Sequence, residues 1–238
     1  MKEHRHPDFK NTIIYFFVAV ASLSPAFATG APTLQLTADI VNDAQLIDTV
    51  GPNTRGAAVM RAQILLDRAH FSPGEIDAVF GSNTQKAIAA YQKNNGLKPS
   101  AVIDEATWAA LNSDTAPVLT QYAIADADVA GPYLPIPADM LEKSAMPALG
   151  YESAQEALGE KFHVSPQLLL RLNPSKDLTR AGEEIVVPNV AGAPLPKGAT
   201  VIVDQSDSTV ALLDASGKIL ALLPATIGSQ HDPLPIGR

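Results

Sequence analysis

The chain has 238 residues, 46% of them hydrophobic and 18% charged, with a net charge of −8. That length admits two or three small domains, and the modest charge content excludes a disordered acidic chain. The acidic balance argues against a nucleic-acid partner, because phosphate binding needs a basic surface.

Zero cysteines exclude disulfides, thiolate metal sites and a cysteine nucleophile within this chain. The five histidines are scattered, and no pair has ligand spacing on a plausible helix, so neither a metal site nor a cofactor is expected.

Residues 1–28 read as a secretory signal. Lys2, Arg5 and Lys10 form a basic start, Ile13 to Leu23 an apolar stretch, Ser24-Pro25 a break, and Ala26-Phe27-Ala28 a small-x-small cleavage pattern. The apolar stretch is short for a bilayer span, so membrane contact is expected only transiently, during export to the periplasm or cell wall. Without residues 1–28, which hold three of the 17 Lys and Arg and two of the 25 Asp and Glu, the net charge is −9.

Residues 56–111 predict a three-helix module. Val59, Ala62, Leu66 and Ala69 recur at helical spacing, and Phe71-Ser72-Pro73-Gly74 ends that helix. After a tight loop, Ser82 or Asn83 is expected to cap a second helix with Ala87, Ile88 and Tyr91 on its apolar face. Asn94-Asn95-Gly96 closes it through a left-handed residue. Asp104 caps a third helix bearing Trp108 and Leu111. Asp77 is expected to bond loop amides and Thr84 to bond near a helix start.

The strings Val59-x-x-Ala62-Gln63-x-x-Leu66, Gly74-x-Ile76-Asp77-Ala78-x-Phe80-Gly81-x-x-Thr84, Ala87-x-x-x-Tyr91-Gln92-x-x-x-Gly96-Leu97 and Thr107-Trp108-x-x-Leu111 resemble a peptidoglycan-binding repeat. The resemblance implies glycan strands and stem peptides as partners. Ala78 stands where that family often has Gly, and Ser100-Ala101 where Asp-Gly is common. The polar residues Gln63, Asp77, Thr84 and Gln92 carry two readings, structural hydrogen bonding or contact with sugar or peptide.

Residues 112–148 read as a Pro-rich linker that packs on its neighbours, with an extended Gly131–Pro137 stretch and a short helix within Ala138 to Ala145. Residues 149–190 then predict an extended Tyr151-Glu152-Ser153, a helix from Ala154 to Phe162, a second helix opened by Ser165-Pro166, and a strand over Ile185 to Pro188. Phe162-His163-Val164-Ser165, Leu169-x-x-Leu172-Asn173-Pro174 and Ala181-Gly182-x-x-Ile185-Val186-Val187-Pro188 make this similar to a LysM module, a βααβ unit that binds glycan N-acetyl groups. Glu152-Ser153-Ala154-Gln155 replaces that family's Gly-Asp-Thr-Leu box, so a glycan site and an inert spacer both stay open. Asn173 joins the candidate binding residues.

Residues 198–238 predict short strands at Val201 to Val203, Val210 to Leu213 and Ile219 to Leu223, with Ala215-Ser216-Gly217-Lys218 as a hairpin connection. With Leu223-Pro224-Ala225-Thr226-Ile227-Gly228-Ser229 and Asp232-Pro233-Leu234-Pro235-Ile236-Gly237, this is similar to the first strands of an L,D-transpeptidase catalytic domain. That family uses a late Ser-His-Gly-Cys-type motif and an upstream His to form an acyl-enzyme with a peptide stem. None of those residues occurs here, so no catalytic position is assigned, and His231 reads as a loop residue.

The expected whole is a multidomain α+β chain: the three-helix module, a βααβ LysM-like module and an incomplete β-rich domain. The expected function is that of the peptidoglycan-binding portion of an exported L,D-transpeptidase, inactive by itself and acting in wall crosslinking or lipoprotein attachment. The alternatives are a non-catalytic peptidoglycan-binding protein or the anchor of a wall hydrolase.

Overall fold

Helix α2 (Ala57–Arg68) is buried on every side: Val59 through Leu66 and Arg68 are all inside. The sequence pattern predicts only one apolar stripe. The difference comes from neighbours the pattern does not reveal, because short α1 (Ala38–Asn42) lays Val41 against α2. A helix wrapped all round becomes the centre of its module. The computed structural model describes residues 36–228; the signal sequence at 1–28 and the stretch Ser229 to Gly237, His231 included, lie outside the described residues.

Helix α3 (Ser82–Asn94) buries Ala87, Ile88 and Tyr91 on one face. It starts at Ser82, with Gly81 at the N-cap and no side-chain cap bond, so neither Ser82 nor Asn83 caps it as expected. Its other end is as predicted. Gly96 takes φ +69°, the Leu97 N–H donates to the Gln92 carbonyl at 2.8 Å, and the Gly96 N–H donates to the Lys93 carbonyl at 3.3 Å. That pair of bonds is a Schellman closure. Helix α4 (Glu105–Leu111) is capped by Asp104, whose Oδ1 accepts from the Thr107 N–H at 2.9 Å. Trp108 fills the space between α4 and the preceding loop, 1% exposed, and its Nε1 donates to the Asp48 carbonyl at 2.9 Å.

Strand β1 (Leu119–Ala123) lies inside the segment expected to be a linker. It pairs antiparallel with β2 (Glu184–Pro188), in a register from Leu119 opposite Pro188 to Ala123 opposite Glu184. Between them come α5 (Asp126–Val129), α6 (Met140–Ser144), α7 (Ala154–Lys161) and α8 (Pro166–Leu172). Tyr151-Glu152-Ser153 is not the first strand of this unit. Ser153 is instead the N-cap of α7, accepting from the Glu156 N–H at 3.1 Å. Ser165 caps α8, and Pro166 takes its first turn, where a missing N–H costs nothing. Leu168, Leu169 and Leu172 are buried together with Leu158 and Ile185.

The last sheet is an antiparallel meander of β3 (Thr200–Asp204), β4 (Thr209–Leu213) and β5 (Ile219–Pro224), close to the predicted strands. Asp214 organises the β4–β5 connection, its Oδ1 accepting from the Ser216 and Lys218 N–H groups at 2.8 and 3.0 Å. The sheet does not stand alone. The Leu222 N–H donates to the His70 carbonyl at 2.9 Å, and the Ser72 N–H donates to the Leu222 carbonyl at 2.8 Å. Four residues on, the same loop meets the βααβ unit: the Ile76 N–H donates to the His163 carbonyl at 2.7 Å, and the Ser165 N–H to the Ile76 carbonyl at 3.0 Å. The loop between α2 and α3 is thus the backbone junction of all three parts.

Candidate functional site

Gln63 and Gln92 each pin a loop that follows their own helix. The Oε1 atom of Gln63 accepts from the Asp77 and Ala78 N–H groups at 3.2 and 2.9 Å. Its Nε2 lies 2.9 Å from Asp77 Oδ1, 3.2 Å from the Val79 carbonyl and 3.2 Å from Thr84 Oγ1. Around Gln92 the pattern recurs. Oε1 accepts from the Ala101 N–H at 2.9 Å, and Nε2 lies 3.3 Å from Ser100 Oγ, 2.8 Å from the Val102 carbonyl and 2.9 Å from Thr107 Oγ1. Ala78 and Ala101, the residues that take the place of a common Gly, both sit in the left-handed region, at φ 63° and 58°. The amides are 1% and 0% exposed, and with each side-chain oxygen and nitrogen bonded, they hold backbone rather than present themselves to solvent.

Thr84 is buried beside Gln63, and Asp77 is half-buried, its Oδ1 also accepting from the Val79 N–H at 2.9 Å. Gln63, Asp77 and Thr84 therefore meet, whereas Gln92, on α3, bonds the second loop. Asn173 stands apart, buried under β2, where it donates to the Leu169 and Val186 carbonyls at 3.0 and 2.7 Å and accepts from the Val186 N–H at 2.6 Å. Ser100, Thr107 and the left-handed alanines are partners that sequence reading left out. Their signal was the spacing of six residues from each alanine to a threonine, Ala78 to Thr84 and Ala101 to Thr107.

Over the first of these loops lies a groove of about 310 Å³, lined by Gln63, Glu75, Asp77, Ser82, Asn83 and Thr84 among others. Exposed Glu75 and Ser82 and half-buried Asn83 offer side-chain donors and acceptors there. The uncapped start of α3 adds backbone N–H groups to the same wall. A surface of this composition suits hydroxyl and amide groups.

A larger cleft of about 720 Å³ opens where α2, α7 and β5 converge. Across it the half-exposed His163 imidazole meets Asp67 at 2.8 Å. The Asp67 hydrogen bond, opposed by partial burial and helped by the charges of Asp67 and Glu160, raises the His163 pKa above its ordinary value. A third cluster joins β1 to α7. Lys161 Nζ donates to Tyr122 Oη at 2.6 Å and to Asp128 Oδ1 at 2.7 Å, and lies 4.5 Å from the Tyr122 ring centroid. Burial pushes the Asp128 carboxyl up, but bonds from Lys161, Tyr122 and the Ala125 N–H outweigh it and leave the group below the usual carboxylate range. Among the described residues no group of three or more His, Asp or Glu is placed to hold a metal ion.

Residues 55–111 match a family described as a putative peptidoglycan binding domain. The match spans the module built on α2, α3 and α4 and includes both glutamine-pinned loops. It supports a peptidoglycan-binding role, with peptidoglycan as partner and the cell wall as the place of association. Among the described residues no helix is long and apolar enough to cross a membrane.

Proposed function

We propose that this chain is the wall-binding part of an exported L,D-transpeptidase, held against peptidoglycan by residues 55–111 through the groove over the α2–α3 loop. The observation that carries the reading is the domain match on a module whose own loop is bonded to the β3–β5 sheet. Such docking fixes a β-rich domain directly beside the wall-binding surface. Tethering of this kind raises the local concentration of stem peptides, so weak module affinity suffices. The unit of β1, α7, α8 and β2 is read as LysM-like, with β1 supplied from residues 119–123. Residues 1–28 serve as the export signal in this reading.

Two measurements test the two levels of the proposal. Incubation with insoluble peptidoglycan should deplete the full chain from the supernatant; full recovery there defeats the wall-binding reading. Translation of the codons that follow Arg238 tests the enzyme assignment. A frame continuing into a His and then Ser-His-Gly-Cys supports it, and an immediate stop codon overturns it while leaving the binding role intact.

A further inference from the structure

Two helices bring their last turns to the cleft where α2, α7 and β5 converge. Asp67 and Arg68 come from the end of α2, and Gly159 and Glu160 from the end of α7. A helix C-terminus carries partial negative charge, which a cation in its last turn ordinarily offsets. Both helices have such a cation, Arg68 and Lys161. Both cations are committed elsewhere. Arg68 Nε donates to Asp114 Oδ2 at 2.7 Å and its Nη1 to the Pro117 carbonyl at 3.0 Å, while Lys161 Nζ is held by Tyr122 and Asp128. Neither Asp114 nor Asp128 lines the cleft.

The remaining charged side chains of the cleft add to that negative sign. Glu75 and Glu160 are exposed and have no ion-pair partner among the described residues. Glu156 accepts from the Glu152 N–H at 2.7 Å and gains no counter-charge from it. Asp67 faces His163, and His163 and His70 are the other basic side chains of the lining. The same cleft holds aliphatic surface open to solvent, with Leu195 and Leu223 52% and 47% exposed. Uncompensated carboxylates and exposed aliphatic side chains thus share one cleft of about 720 Å³. That combination complements an extended chain in which guanidinium groups alternate with small aliphatic side chains.

We infer that this cleft is a docking site for an extended, arginine-bearing peptide segment of a partner protein, with arginines toward Glu75 and Glu160 and aliphatic side chains against Leu195 and Leu223. Charge complementarity selects that partner. A neutral or acidic segment gains nothing from the uncompensated carboxylates, whereas a guanidinium forks onto a carboxylate through paired N–H bonds. Only Glu75 borders both this cleft and the groove over the α2–α3 loop. The docking does not rest on the peptidoglycan reading.

The test uses the full chain and two labelled, end-blocked peptides of equal length, one alternating arginine with valine and the other arginine with serine. Fluorescence anisotropy should show saturable binding of the valine peptide that weakens as salt rises. Amide chemical shifts should move in residues 67–75, 156–166 and 221–223. Glu160→Gln should weaken binding about threefold at low salt, the scale of one exposed charge pair. Leu223→Ala should weaken it about tenfold, the scale of a half-buried aliphatic contact. Asp39→Asn removes an exposed carboxylate on α1, outside the cleft, and should leave binding unchanged. The inference is overturned by an absence of saturable binding, by shifts confined to other parts of the chain, or by Glu160→Gln and Leu223→Ala variants that bind like the parent. It is equally overturned by an affinity for the serine peptide or for spermine equal to that for the valine peptide, or by an Asp39→Asn loss as large as that of Glu160→Gln, since each reports attraction to net charge alone.

Discussion

Gln63 and Gln92 do the same job twice in one module. Each accepts from the N–H of a left-handed alanine at 2.9 Å, Ala78 or Ala101, and each bonds the carbonyl of the next residue and a threonine hydroxyl six residues beyond the alanine. The two pinned loops also receive the chain that leads into α2. The Gly56 N–H donates to the Ala78 carbonyl at 2.8 Å, and the Ile103 N–H donates to the Val50 carbonyl at 2.9 Å. Two side chains thereby fix the loops on which the groove and the α4 cap both depend.

Replacing Gln63 with Leu tests whether that residue supports the loop or contacts the wall. The substitution leaves the Asp77 and Ala78 N–H groups and the Val79 carbonyl without their partner inside the module. One buried unsatisfied group costs about 1–3 kcal/mol, so unfolding free energy should fall by about 2–3 kcal/mol in urea melts. Peptidoglycan retention, measured below the new melting temperature, should change little. A variant of unaltered stability that no longer pellets would assign Gln63 to direct contact instead.

The two alanines differ in one respect that separates their glycine variants. Left-handed backbone is costly for a residue with a Cβ, by about 1 kcal/mol. Ala101→Gly relieves that cost at a half-exposed position and should raise the melting temperature by about 2–4 °C. Ala78 is 2% exposed, so Ala78→Gly also removes a buried methyl worth about 0.8 kcal/mol. The two effects nearly cancel, and thermal unfolding of Ala78→Gly should match the parent.

Much of this architecture was legible because its signals are local. Gly96 after Asn94-Asn95, Asp104 three residues before Thr107, and Ser165-Pro166 each specify a helix end from a few neighbouring residues, and each end forms as expected. Strand β1 was not legible, since its partner lies about sixty residues away and Pro-containing chain follows it. The all-round burial of α2 depends on α1 and on distant packing, which the helical period cannot encode. At the candidate site the residue types were readable but their roles were not. Whether an amide faces a loop or a ligand depends on where the loop goes, and only the fold brings Ala78 and Ala101 to Gln63 and Gln92.

Trp108 offers a measure of how firmly α4 is held. Its ring is buried and its Nε1 is bonded to the Asp48 carbonyl. Trp108→Ala should destabilise the module by about 3–5 kcal/mol, through lost burial and the cavity left behind. Denaturant unfolding reads this directly. A midpoint equal to that of the parent would show that the surrounding chain collapses fully into the vacated space.

The His163–Asp67 pair makes the junction between α2 and the α7–α8 turn sensitive to pH. The pair raises the folded-state pKa of His163 above its unfolded value of about 6.5. A raised pKa means that the folded chain holds the proton more tightly than the unfolded one. The stabilisation is therefore complete below about pH 6.5 and is lost as pH rises through the higher folded value. The imidazole is 51% exposed, so solvent screening limits the effect to less than about 1 kcal/mol. His163→Asn is the suitable control, because Asn tolerates the left-handed backbone found there at φ 53°. The melting temperature of the parent should exceed that of His163→Asn by the largest margin under mildly acidic conditions, with the curves converging as the solution becomes alkaline. A constant offset across that window would show that the imidazole contributes by packing rather than by charge.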